Sequence, residues 1–443
     1  MSTPPIVTYL RSLEAVRERS GKIYQLALEG KLDHWEYKED KLGEVVDFCV
    51  AIIKRDFGTK YDKVSYVLPT HCRRNHFYSP NQDRISILLS HPDFPKGKVD
   101  RAAALIDLYL VSVLLDAGAG ADWMYTEIID GKEVWKGGRS EGLAVASYHM
   151  FSEGIFSSER GNKFQVDAKA LQSLTVEILT KHLQVSSSNP MAGLEGRCNL
   201  LISLGSALQA RPDICGNGRP GDMLHYFQKH LDQSNKPIIL PLSNFWSTLF
   251  ELLLPIWPSR TTLPSYPDYP LGDVWPCPSL DHSLESSGIK REEGDSFIPF
   301  HKLTQWLCYS LVDAIENEAG WKVDRGKGQT GLPEYRNGGL LVDHDVIIIR
   351  SETLPPDSFP KGNDQPPLLQ PSHPAVVEWR AMTVICLDKI HQLICIKLGV
   401  DEQTLSLAQV LEAATWKGGR EIAKIKRIGG GPPVDIISDG TVF

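Results

Sequence analysis

Apolar residues along this chain recur with helical spacing far more often than they alternate. Over 6–28, Leu10, Leu13, Val16, Ile23 and Leu26 keep register with helical turns, and Gly30 fits a C-cap, so one helix is predicted there. The same period continues over 45–53. Residues 100–116 are apolar on most faces, which predicts a central helix buried on several sides and ending near Gly118 and Gly120. Further helices are predicted over 140–153, 168–181 and 193–211, the last preceded by the turn Asn189-Pro190 and closed by Pro212. Toward the C-terminus they are predicted over 244–254, 299–319 and 375–398, with Gly399 as the stop. Ser406 and Gln409 have capping-box spacing and open a final helix before the tail that ends at Phe443. A short strand is predicted within 340–349.

Prolines from Pro237 to Pro278 interrupt this pattern. The same stretch carries Trp246, Trp257, Tyr266, Tyr269 and Trp275. Disordered linkers are poor in aromatics, so this connection is expected to pack on a core. Residues 281–295 are polar and charged and read as a flexible loop. A second proline-dense connection covers 351–374. These features predict a mainly α protein with few short strands. The expected blocks are an N-terminal helical segment (1–95), a central helical core (96–236), a proline- and aromatic-rich connection (237–298) and a C-terminal helical region (299–443). All four are expected to form one integrated catalytic unit.

Composition adds exclusions. The chain has 443 residues, 42% hydrophobic and 23% charged, which is ordinary for a globular protein. Its net charge of -8 disfavours binding to bulk nucleic acid. The short basic clusters Arg73-Arg74 and 424–427 read as solvated faces. The polar start is expected to carry no secretory signal, and 102–115 is too short and too polar to span a bilayer. A cytoplasmic protein with no membrane partner is the expectation. Eight cysteines are scattered without a C-x-x-C pair, which predicts reduced thiols rather than a zinc site. H-E-x-x-H and Walker A motifs are absent. G-x-G-x-x-G at 216–221 and 326–331 lacks the strand-to-helix context of a dinucleotide site. G-x-S-x-G at 138–142 reads as a chance match, because a nucleophile elbow needs a buried parallel strand before it.

The run Gly331-Leu332-Pro333-Glu334-Tyr335-Arg336-Asn337-Gly338-Gly339 places a carboxylate, a phenol and a guanidinium side by side. Pro333, Gly338 and Gly339 are expected to keep it out of a long helix. A second carboxylate, Asp273, sits in a similar setting beside Trp275. Two such loops can present paired carboxylates to a small substrate, or they can simply cap helices. Asp116 ends the central apolar helix, and a run of small residues separates it from Asp122 and Trp123, which leaves room for a ligand or makes a tight helix end. Arg139 precedes Ser140, read as an N-cap, which together make an anion site or an ordinary cap. His301, Lys302 and Gln305 open the 299–319 helix, Lys302 and Gln305 sharing one face. His71 to Phe77 mixes cations with Cys72 and reads as a phosphate loop or an exposed turn. In Asp343-His344-Asp345 the side chains of a strand would diverge, so no metal is expected there.

Five segments together carry a resemblance: Val113 to Gly120, Arg139 to Ala144, Asn189 to Arg197, Phe300 to Leu303 and Thr330 to Gly339. The chain resembles, over almost its whole length, the family of the fourth protein of the fungal and bacterial uracil-catabolism pathway. More distantly it is similar to queuosine-salvage N-glycosidases, whose helical core resembles helix-hairpin-helix DNA glycosylases. Against that group's pattern of a loop Asp, a Lys-x-x-Gln helix and an Asp-Tyr-Arg run stand Asp273, Lys302 with Gln305, and Glu334-Tyr335-Arg336, with Glu334 in place of Asp.

The resemblance implies cleavage of a ribose C1′–N bond in ribosylurea or its 5′-phosphate, releasing urea. It implies Glu334 and Asp273 as catalytic residues, Glu334 at the transition state or the attacking water and Asp273 at the leaving group. Asp116, Asp122, Trp123, Arg139, Trp275, His301, Lys302, Gln305, Tyr335 and Arg336 are the implied substrate-binding residues. Among these, Lys302, Arg336 and Arg139 are the candidates for a phosphate, and Trp123 and Trp275 for pocket walls. The substrate is a small molecule, no metal or cofactor is required, and a homodimer through an apolar face of 375–398 is allowed. The rival readings are an amidohydrolase acting on a ring-opened ureido intermediate, a non-catalytic scaffold channelling intermediates, and a DNA-glycosylase relative acting on nucleic acid.

Overall fold

Helices dominate the computed structural model, and the strands are short and lie in two-stranded sheets, so the chain is mainly α. The structure describes residues 3–58, 68–79, 82–116, 122–234, 236–257, 261–286, 288, 290–326, 328–362 and 364–437. The small-residue run after Asp116 and the tail to Phe443 lie outside them. The chain forms two compact units, each discontinuous in sequence. The first comprises Met1–His71, Ser259–Gln305 and Gly328–Phe443, and the second Cys72–Pro258 and Trp306–Lys327.

The first unit is built on helix Pro374–Leu398, begun by a proline and ended at Gly399 in the left-handed conformation. Helices Leu13–Leu28, Leu42–Phe57 and Tyr335–Asp343 pack against it. Trp35 and Trp379 stack at 6.1 Å inside this core, and the Trp35 indole N–H donates to the Ala375 carbonyl at 2.8 Å. Strand Val274–Pro276 pairs antiparallel with Phe297–Pro299, which fixes the entry to helix Lys302–Ala314. Helix Trp416–Lys426 crosses the Tyr335–Asp343 helix so closely that a Cβ at Gly419 would lie 2.1 Å from the Arg336 carbonyl oxygen.

The second unit is organised around helix Lys98–Leu115, buried along its whole length from Ala102 onward. Its one internal acid, Asp107, is matched inside the core: it accepts from Arg219 Nε and Gly221 N, both at 2.7 Å. Helix Arg139–Ser152 packs on it, preceded by the hairpin Met124–Ile129 and Lys132–Gly138.

Several predicted elements differ in detail. The single helix expected over 6–28 is two, Pro5–Leu10 and Leu13–Leu28, because the Ser12 side chain caps Ala15 N and starts the helix afresh. Thr175 divides 168–181 in the same way. The loop expected over 281–295 begins as helix Pro278–Ser286, and Arg291 pairs back to Asp281 and Glu285. The 331–339 run is largely helical, since Tyr335–Asp343 passes through Gly338 and Gly339. Close packing explains those glycines better than chain breaking, because a Cβ at Gly338 would lie 2.6 Å from the Trp379 indole nitrogen.

Candidate active site

In the first unit Gly272, with φ of 80°, turns the chain into strand Val274–Pro276 and points Asp273 inward. Its Oδ1 accepts from Trp275 Nε1 at 2.6 Å and Arg380 Nη1 at 2.8 Å. Its Oδ2 accepts from Lys302 N at 3.0 Å and Arg380 Nη2 at 2.7 Å. Burial alone would raise the pKa of this carboxyl. The Arg380 charge and the four hydrogen bonds outweigh it and hold the group well below the usual carboxylate range. Two bonds on each oxygen leave no ready acceptor for a urea N–H.

Arg380 is buried on the long core helix, its guanidinium 4.1 Å from the Phe300 ring, and its Nε reaches the Pro333 carbonyl at 3.4 Å. It thereby ties the Asp273 loop to the segment leading into Glu334. Glu334 is the N-cap of helix Tyr335–Asp343, accepting from Arg336 N at 2.7 Å and Asn337 N at 2.5 Å. Burial raises its pKa, against the pull of those two N–H groups and of the Lys302 and Arg336 charges. A cap, a buried acid and a nearby ammonium thus share one carboxylate.

The remaining candidates of this unit surround that pair in supporting positions. The Gln305 amide is clipped to Thr330, donating to its hydroxyl and accepting from its N–H, both at 3.0 Å. Arg336 donates to the Gly430 carbonyl at 2.8 Å and lies 4.8 Å from the Tyr335 ring. His301 sits at φ 48° with Nε2 donating to the Leu10 carbonyl at 2.8 Å, and burial pushes its pKa down to about 4, so the ring is neutral at pH 7. Trp275 is buried with its N–H on Asp273.

The other four predicted residues belong to the second unit. Asp116 accepts from Arg73 Nη1 at 2.7 Å and from the Ser140 hydroxyl. Asp122 and Arg139 are exposed, and Arg139 has φ of 50°. Trp123 is fully buried, with its indole N–H on the Leu183 carbonyl at 2.8 Å and its ring against Gly142. A pocket wall needs an open face, and Trp123 has none. Ser140 is not the N-cap; Gly138 is.

Sequence reasoning passed over Arg380, although a lone arginine within an apolar helical run was a usable sign that a buried acid awaits it. The solvated face expected at Arg73 and the exposed turn weighed for His71 to Phe77 are corrected: Arg73 and His76 are buried and meet Ser140 in the second unit, Arg73 Nη1 lying 3.0 Å from His76 Nδ1 and 3.1 Å from Ser140 Oγ. Asp343, weighed as a metal ligand, is held by both terminal nitrogens of Arg427 at 2.6 Å. Among the described residues no helix is long and apolar enough to cross a membrane.

The model of the family described as "Protein of unknown function (DUF1688)" matches residues 9–443, and the chain belongs to that family. It is 39% identical to "Uracil catabolism protein 4" of Lachancea kluyveri, over 99% of each chain. It is 42% identical to "Protein urg3" of Schizosaccharomyces pombe, over 100% of each.

Proposed function

We propose that this protein acts in uracil catabolism as an N-ribosyl hydrolase that releases urea from ribosylurea or ribosylurea 5′-phosphate. The observation that carries the reading is Glu334, a buried carboxylate with raised pKa, aimed by two backbone N–H groups and lying in the field of Lys302. The name of the Lachancea relative supports the pathway.

Breaking the C1′–N bond builds positive charge on C1′ and the ring oxygen. A carboxylate facing that carbon stabilises the oxocarbenium-like transition state, or takes a proton from the attacking water. Glu334 fills this role. Urea nitrogen leaves poorly without a proton or a cation on its conjugated oxygen, and Lys302 is the cation assigned there. Asp273, with its acceptors already occupied, acts as a positioning residue: it holds Arg380 and the first turn of the Lys302–Ala314 helix. The step as written uses residues of the first unit and calls on no metal or organic cofactor.

Product identity tests the reaction class. Purified protein incubated with synthetic ribosylurea, with and without the 5′-phosphate, is expected to yield urea and the free sugar. Ammonia with no urea would instead establish the ureido amidohydrolase reading.

A further inference from the structure

From Gly328 to Glu334 the first unit carries a largely buried stretch without regular secondary structure, and it leads straight into the proposed reacting carboxylate. Backbone polar groups buried outside a helix or sheet need other partners. Side chains supply them here. The Pro333 carbonyl faces Arg380 Nε at 3.4 Å, and the Leu332 carbonyl accepts from Asn337 Nδ2 at 3.1 Å. The Gly331 carbonyl accepts from the Thr330 hydroxyl at 3.1 Å. The far end is held by a residue from a distant part of the chain. Arg17, on helix Leu13–Leu28, donates from Nη2 to the Gln329 carbonyl at 3.0 Å and from Nη1 to the Gly328 carbonyl at 3.3 Å.

Asp388 aims that guanidinium, its Oδ2 accepting from Arg17 Nε at 2.7 Å and its Oδ1 from Nη2 at 3.3 Å. Asp388 and Arg380 both belong to helix Pro374–Leu398. Their separation in sequence places them about 12 Å apart along its axis. The stretch is therefore fastened to one rigid element at both ends, through Arg17 and through Arg380. Between those ends it lies against the same helix, since a Cβ at Gly331 would come 2.5 Å from Leu387 Cδ1. Gln329 extends the tie to the proposed cation. Its Nε2 donates to the Gln305 carbonyl at 3.0 Å, and the Gln305 amide is clipped to Thr330. Gln305 stands one turn after Lys302 on helix Lys302–Ala314. Through two carbonyls, Arg17 bears on how Lys302 and Glu334 are set relative to each other.

We propose that Arg17 is a positioning residue for the reaction assigned to Glu334, an inference that rests on that reading. Its pair with Asp388 lies near the surface, at side-chain exposures of 27% and 23%. Pairs of that kind add little to global stability. What this one adds is geometry. Displacing a reacting group by about an ångström costs on the order of a hundredfold in rate, even when the change is made far from the chemistry. The exposure also leaves the guanidinium site open to solvent.

Steady-state urea release by the full-length protein tests this, comparing wild type, Arg17→Ala and Asp388→Asn. Arg17→Ala is expected to keep its thermal transition within about 4 °C of wild type. Its kcat is expected to fall at least about tenfold while KM stays within about twofold. Guanidinium chloride at about 50 mM, far below unfolding concentrations, is expected to raise the rate of Arg17→Ala at least about threefold. Sodium chloride at the same concentration is expected to leave it unchanged. Asp388→Asn keeps the arginine but loosens its aim, and is expected to lose at least about threefold in kcat. Wild-type kcat in both variants, or a loss in Arg17→Ala that guanidinium does not relieve, would overturn the proposal and leave the reading of Glu334 standing. Wild type that releases no urea would overturn that reading, and this inference with it.

Discussion

Arg380 grips Asp273 through two parallel hydrogen bonds of 2.8 and 2.7 Å, with the arginine side chain almost fully enclosed and the carboxylate largely so. Removing one member of such a pair strands the other charge in the interior. Arg380→Met is expected to lower unfolding free energy by about 3–5 kcal/mol, read from urea denaturation. The double variant Arg380→Met with Asp273→Asn is expected to lose less than the sum of the two single losses, since no unpaired charge remains.

The crossing at Gly419 makes a sharper packing prediction. A methyl there would meet the Arg336 carbonyl, backbone that cannot swing aside. Gly419→Ala is expected to cost about 1–3 kcal/mol. Gly21→Ala is the matched control: it lies inside helix Leu13–Leu28, with nothing within 4 Å of the added carbon, and is expected to stabilise by about 0.5–1 kcal/mol. Thermal melts of the two variants should move in opposite directions.

Periodicity made the helical class legible, and the Gly399 stop and the Ser406–Gln409 capping box appear as their residue types demand. The breaks at Ser12 and Thr175 were harder to see, because apolar spacing carries across a cap that only a side-chain hydrogen bond reveals. Glu334 and Asp273 were visible as acids in unusual loops. What each carboxylate touches was not, since Arg380 lies 107 residues from Asp273 in the chain. Glycine misled at Gly338, because its usual sense is a break and its sense here is room for Trp379. Arg73 with His76, Asp116, and Ser140 come together from three separate segments, and no spacing rule joins those.

Glu378 gives a pH prediction with a definite sign. It sits on the core helix accepting from the N–H groups of Asp33 and His34, both at 3.0 Å, and burial pushes its pKa up from 4.5 to about 7. The folded state thus keeps this proton where the unfolded chain releases it. Its contribution is fully present below the unfolded pKa and is lost as pH rises through the folded one. Between pH 4.5 and 7 the wild type should lose up to about 3 kcal/mol relative to Glu378→Gln. Chemical denaturation of both proteins at pH 5, 6, 7 and 8 measures that difference.

Glu334 should separate stability from chemistry. As an N-cap its replacement by Gln is expected to cost about 1 kcal/mol or less, because the amide oxygen still accepts from one N–H. As the reacting carboxylate its replacement should remove activity by at least about a hundredfold. The acid limb of the wild-type rate should lie above the ordinary carboxylate range, in the direction in which burial moves the Glu334 pKa.

The most direct measurement is the rate of urea release from ribosylurea and its 5′-phosphate by wild type and Glu334→Gln, at matched folded fraction. Urea from wild type, with near-complete loss in the variant, is the result expected. Equal urea release by both proteins, or none from wild type with either form, would contradict Glu334 as the residue that faces the breaking bond.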